Sequence, residues 1–149
     1  MRLKVVHILI STPVKQGRQA VAEGFNEDLF TQLNPPFPPV KLLRFDGSRK
    51  GDIVSLELDF LLFKQVWESH ITEHGETSKE WYFIDEGVKL PFFLSYWRHH
   101  HRVVQTGTHA TIIDDITYRT PFRWLDYLFF PVMKAQFLYR KPVYKRVFG

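Results

Sequence analysis

A change of hydrophobic period near Thr120 constrains this chain more than any other feature. Before it, the residues run in short stretches rich in β-branched and aromatic side chains: Val40–Phe45, Ile53–Phe60, Val66–His74, Glu80–Val88, Tyr96–Thr106 and His109–Thr120. Turn chemistry separates them at Asp46-Gly47-Ser48, Gly75-Glu76, Gly87 to Pro91, and Gly107. His74-Gly75-Glu76 and Thr106-Gly107-Thr108 are short enough to close hairpins, so the stretches are expected to pair as a mostly antiparallel sheet. After Thr120-Pro121 the period becomes helical. Phe122, Leu125, Leu128, Phe129, Val132, Met133, Gln136 and Phe137 fall on one face. Pro131 lies inside that pattern and should kink the helix without ending it. Pro142 is expected to break off a last turn holding Tyr144, Val147 and Phe148.

Upstream of the sheet, Arg2 to Ser11 reads as a further strand. Thr12-Pro13 reads as the entry to a short helix over Val14–Glu23 that stops at Gly24. Asn26 is a second N-cap, with Glu27 and Asp28 in the first turn where the helix dipole favours acids. Asn34-Pro35-Pro36-Phe37-Pro38-Pro39 must end that second helix near Leu33. One strand, two short helices, a meander and a long amphipathic C-terminal helix make a single α+β domain over residues 1–149. The expected architecture is a helix grip: a curved antiparallel sheet of six to seven strands wrapped around the long helix.

Composition narrows the function. With 16% aromatic residues, including 14 Phe, the chain has enough large rings for a thick core or the walls of an apolar cavity. Cysteine is absent, which removes disulfides, thiolate catalysis and Cys-ligated metals and fits a cytoplasmic protein. No apolar run approaches the ~20 residues of a membrane span, so no integral membrane association is expected. Val5–Ile10 is too short, and too broken by His7, for a signal peptide. The net charge of +4 is concentrated in Lys134, Arg140, Lys141, Lys145 and Arg146, with no acid between Tyr127 and Gly149. A nucleic-acid binder would carry a broader basic face, so that class is set aside. This basic run reads as a solvated helix face, with an anionic membrane surface as the functional alternative. The surplus rings of the same helix would serve loop packing or homodimer contact.

Leu33-Asn34-Pro35-Pro36-Phe37, Phe83-Ile84-Asp85, Pro91-Phe92, Trp97-Arg98-His99-His100-His101 and Asp114-Asp115-Ile116-Thr117-Tyr118-Arg119-Thr120-Pro121 occur in that order. Together they resemble the ligand-binding, cell-division-inhibitor-like bacterial branch of the START-like (SRPBCC) helix-grip superfamily. The Trp-x-His-x-His strand with the following Asp-x-Ile-x-Tyr carries most of the resemblance. The chain departs from it at Lys89-Leu90-Pro91-Phe92, where the branch has Gly-Pro-Phe. The resemblance implies a cavity for a hydrophobic small molecule. Because some members are polyketide cyclases or aromatases, it also leaves an enzymatic alternative.

Strand alternation places the polar candidates independently of that resemblance. Trp97, His99, His101 and Val103 share one face, as do Ile112, Asp114, Ile116 and Tyr118 in the next strand. Asp85 and Phe83 join them from the preceding strand. An acid and two imidazoles among rings must pair to be buried, so bonds from the His pair to Asp114 or Asp85 are expected. Trp97, His99, His101, Asp114, Tyr118 and Asp85 are therefore the expected polar end of a ligand cavity, with Phe83, Leu125, Phe129 and Met133 as apolar wall. The same groups could simply fix strand register. They could also catalyse, with His99 or His101 as a base tuned by Asp114 and Tyr118 as an acid. No nucleophile marks itself out among Ser55, Ser69 and Ser95, so no catalytic residue is assigned. His99 and His101 with Asp114 have permissive metal-ligand spacing, but the pattern is short and common, and no metal or cofactor is assigned. His70, His74 and His100 are expected toward solvent and His109 in a turn.

Overall fold

The computed structural model describes residues 4–149. Strand β1 (Val6–Val14) is followed by helices α1 (Arg18–Glu23) and α2 (Glu27–Gln32). Then come β2 (Val40–Phe45), β3 (Ile53–Asp59), β4 (Lys64–Glu76), β5 (Glu80–Lys89), β6 (Tyr96–Thr106) and β7 (His109–Arg119). Helices α3 (Arg123–Leu138) and α4 (Arg140–Phe148) end the chain. The seven strands form one antiparallel sheet in the order β1-β7-β6-β5-β4-β3-β2. Every neighbour from β2 to β7 is joined by a hairpin, and β1 closes on β7 with Val6 opposite Tyr118 and Val14 opposite Ala110. This is the α+β helix grip expected from the change of period.

Three boundaries differ from expectation. The first strand continues through Thr12-Pro13 to Val14, because Thr12 pairs Ile112 and Pro13 pairs Thr111. An edge strand has one side without a partner, so a proline there forfeits nothing. Helix α1 accordingly starts at Arg18, with Gly17 as its cap. Arg2 and Leu3, where the sequence also suggests strand, lie outside the described residues. The β4–β5 turn falls at Thr77–Lys79 and not at Gly75, because the Thr77 hydroxyl accepts the Lys79 and Glu80 amides at 3.2 and 3.1 Å. Gly75 stays in the strand opposite Tyr82, where a Cβ would stand 2.5 Å from the tyrosine ring. The C-terminal helix breaks at Tyr139, before Pro142. Pro142 sits in the first turn of α4, where the amide has no helical acceptor to lose. Pro131 lies inside α3.

Other local signals act as written. The Asn26 side chain caps α2 by accepting the Leu29 amide at 3.0 Å. Thr120 donates its amide and hydroxyl to Asp126 at 2.7 and 2.6 Å, tying the end of β7 to the first turn of α3.

The core has two lobes. Ile8, Ile10, Trp97, Ile116, Tyr118, Met133 and Phe137 form one, where α3 crosses the sheet. Val14, Val21, Leu29, Val103, Ile112, Tyr144 and Phe148 form the other, where α1, α2 and α4 close on it. Helix α3 buries only Asp126, Met133 and Phe137, and leaves Trp124, Tyr127 and Leu128 exposed. A long helix that touches the sheet along so narrow a stripe leaves space beside it. The basic run is less free than its sequence implies. The Lys141 ammonium reaches the Ser11 carbonyl, Lys145 the Pro13 carbonyl at 3.0 Å, and Arg146 the Gln32 side chain at 3.2 Å. These bonds moor α4 to β1 and α2.

Candidate functional site

Between the concave face of the sheet, α2, the proline-rich loop and α3 lies a cavity of about 370 Å³. That is within the range of small-molecule pockets. Phe83, Trp97, Phe129, Met133 and Phe137 line it together with Phe37 and Phe60, and Asp85, His99, His101, Gln136 and Arg140 add polar atoms. The wall is overwhelmingly apolar because each strand turns its alternate, ring-bearing residues inward.

The polar groups pair diagonally. By register, Asp85 stands opposite His99 and His101 opposite Asp114. The hydrogen bonds cross over: His99 Nε2 donates to Asp114 Oδ1 at 2.8 Å and His101 Nε2 to Asp85 Oδ2 at 2.6 Å. Because carboxylates only accept, both ring protons facing them sit on Nε2. The crossing brings the two rings into a stack, with centroids 3.5 Å apart at 24°. Phe83 stacks on the His101 ring at 4.1 Å, and the Trp97 indole donates to Asp85 Oδ1 at 3.1 Å.

Behind His99, Asp114 is held from the C-terminal helix. Arg140 Nη1 lies 3.2 Å from Asp114 Oδ1 and 3.3 Å from the Tyr144 hydroxyl. Burial opposes the charged form of Asp114, but the Arg140 guanidinium and the hydrogen bond from His99 outweigh it, and the carboxyl is held at about 2. Asp85 behaves alike: burial works upward, yet His101, His99 and the indole proton leave it below the usual carboxylate range. His99 goes the other way. Burial, reinforced by the neighbouring His101 ring, pulls it down to about 4 despite Asp114, so His99 is neutral near pH 7.

Of the residues expected at the cavity, the structure brings Trp97, His99, His101, Asp85, Phe83, Phe129 and Met133 to its wall. Asp114 stands one layer back, bonded to His99. Tyr118 does not reach the cavity; it is buried in the α3 lobe, and its hydroxyl has no hydrogen-bond partner among the described residues. Burial, with Asp126 nearby, pushes that hydroxyl up to about 12, so it keeps its proton at neutral pH. Leu125 is also off the wall, because α3 turns Phe129, Val132, Met133 and Gln136 toward the cavity. Sequence reasoning missed Arg140 and Tyr144, reading the first as part of a solvated basic face. The signal was there: Met133, Phe137, Arg140 and Tyr144 continue the helical spacing of the buried face past Leu138. His100 lies on the opposite face of β6, packed edge-on against Tyr82.

The structure alters the candidate metal set as well. Asp85, not Asp114, completes a group with His99 and His101 whose ligand atoms lie within 4.8 Å of one another. Those three could hold a divalent ion. In the present geometry two of the three, His101 and Asp85, are bonded to each other.

No protein-family model matches this chain, and no curated protein matches it. Solved structures do. The Zhui aromatase/cyclase from Streptomyces sp. R1128 superposes with a TM-score of 0.69 at 12% identity, over 94% of this chain and 91% of that one. Norcoclaurine synthase from Thalictrum flavum, in complex with dopamine and hydroxybenzaldehyde, gives 0.62 at 13% identity over 97% and 85%. Major latex-like protein 151 from Panax ginseng gives 0.59 at 14% identity over 91% and 95%. The chain shares the helix-grip fold of these structures. Among the described residues no helix is long and apolar enough to cross a membrane.

Proposed function

We propose that this protein binds a hydrophobic, ring-bearing small molecule between its sheet and α3, in the cytoplasm. The observation that carries the reading is an aromatic-walled space of about 370 Å³ with Asp85, His99 and His101 clustered on its wall. Apolar walls supply affinity, and a few placed polar groups supply orientation. Ligand-bearing neighbours such as the norcoclaurine synthase complex support it at the level of fold. Native mass spectrometry of protein purified from its own host tests it: a small molecule should co-purify and be lost in Met133→Trp, which fills the cavity. Protein that never carries a ligand, and binds no aromatic probe, overturns the reading.

A second reading is a cyclase- or dehydratase-type enzyme. It is favoured by one observation: His99 is neutral near pH 7, is backed by a carboxylate, and has a second nitrogen free to take a proton. Turnover of a polyketide-type substrate that disappears in Asp114→Asn supports it, and turnover that persists in His99→Leu excludes it.

A further inference from the structure

We propose that Nδ1 of His99 and the Asp85 carboxylate form a receptor for a hydrogen-bond donor, so that the cavity selects aromatic ligands bearing an O–H or N–H group over those bearing a carboxylate. This rests on the small-molecule reading above and says which polar group the ligand carries.

The argument is one of donors and acceptors. His99 must hold its proton on Nε2, because Asp114 lies 2.8 Å away and can only accept. In the neutral ring Nδ1 is then a bare lone pair. It faces Asp85 Oδ2 at 3.9 Å, too far for a hydrogen bond and with acceptor opposed to acceptor. The equivalent nitrogen of His101, a ring that also lines the cavity, is itself buried with no partner among the described residues; His99 Nδ1 is the one set beside Asp85, and both of those residues line the cavity. A single donor atom placed at ordinary hydrogen-bond length from both acceptors fits across 3.9 Å. An amine or ammonium bonds to both, and a hydroxyl to one. A ligand carboxylate would bring a third acceptor and a further negative charge to the same point. The cation in that wall, Arg140, is held through its Nη1 by Asp114 and Tyr144. The neutral state of His99 agrees with this arrangement.

The test uses three probes of one shape: 2-naphthol, 2-methylnaphthalene and 2-naphthoate, titrated into the full-length protein and followed by amide chemical shifts. In the wild type, 2-naphthoate should bind at least about tenfold more weakly than 2-naphthol, the factor one hydrogen bond commands. His99→Leu should weaken 2-naphthol by about tenfold and leave 2-methylnaphthalene unweakened. If the variant does not fold, the ¹⁵N resonance of Nδ1 in the wild type decides: it moves with 2-naphthol and stays with 2-methylnaphthalene. The proposal is overturned if 2-naphthoate binds as tightly as 2-naphthol, which would make Arg140 the receptor. Equal weakening of both neutral probes by His99→Leu, or an unmoved Nδ1 resonance, also overturns it. Those results leave the cavity reading intact. If none of the three probes binds, the cavity reading fails and takes this proposal with it.

Discussion

Replacing Arg140 with methionine isolates the contact that joins the C-terminal helix to the polar cluster. The Arg140 side chain is 12% exposed and Asp114 is 1% exposed, so the ion pair between them at 3.2 Å is screened very little. Removing one partner of a buried pair strands the other charge and destabilises by roughly 3–5 kcal/mol. Asp114 retains the His99 proton and the Tyr144 hydroxyl, which places Arg140→Met near the lower end, about 3 kcal/mol. A urea slope of about 1–3 kcal/mol per molar turns that into a midpoint lowered by one to three molar at pH 7. Lys141→Met is the control, since Lys141 bonds only a carbonyl at the surface; it should stay within about 1 kcal/mol. The double variant Arg140→Met/Asp114→Asn should recover part of the loss, because no carboxylate is then left unpaired. If Arg140→Met is no worse than Lys141→Met, or Asp114→Asn adds its full cost on top, the guanidinium is not what neutralises Asp114 and the account of the cluster is wrong.

Three further outcomes are expected. His99 has its folded pKa depressed from 6.5 to about 4, so its contribution to stability is fully present above pH 6.5 and is lost as pH falls toward 4, by roughly 3 kcal/mol in all; an imidazole NMR titration that finds His99 protonating near 6.5 would refute this. Tyr118→Phe removes a buried hydroxyl that has no partner among the described residues, so unfolding experiments should show the variant equal to the wild type or up to about 1 kcal/mol more stable, with aromatic-probe binding unchanged; a loss of 2 kcal/mol or more would mean the hydroxyl is bonded in solution. Gly75→Ala places a methyl 2.5 Å from the Tyr82 ring and should cost about 1–3 kcal/mol in urea melts, with Tyr82→Ala relieving part of it; an additive pair of variants would show that the contact is not the cause.

Much of the fold was legible because its signals are local. The six stretches between Val40 and Thr120 appear as strands β2 to β7, and Tyr96–Thr106 has the bounds expected of it. The inward set Trp97, His99, His101 and Val103 followed from strand alternation alone and is buried. Errors arose where a local signal met a non-local partner. Thr12-Pro13 reads as a helix entry until β7, about a hundred residues later, supplies an edge to pair with. Tyr118 shares the inward face with Asp114, but that face runs past the cavity and under α3. Arg140 was misassigned by its charge, which outweighed its position on the buried stripe of the helix.

The sequence by itself determined which segments are strands and which are helices, and that an acid and two imidazoles would face inward among rings. These depend on side-chain period and backbone propensity, which need no knowledge of distant residues. Only the tertiary structure decided that each imidazole takes the carboxylate diagonal to it, that Arg140 anchors Asp114, and that His99 Nδ1 comes to lie 3.9 Å from Asp85. Those outcomes depend on the lean of neighbouring strands and on where a helix 26 residues beyond Asp114 comes to rest. No local pattern encodes such distances, because they are set when the whole sheet curves and closes.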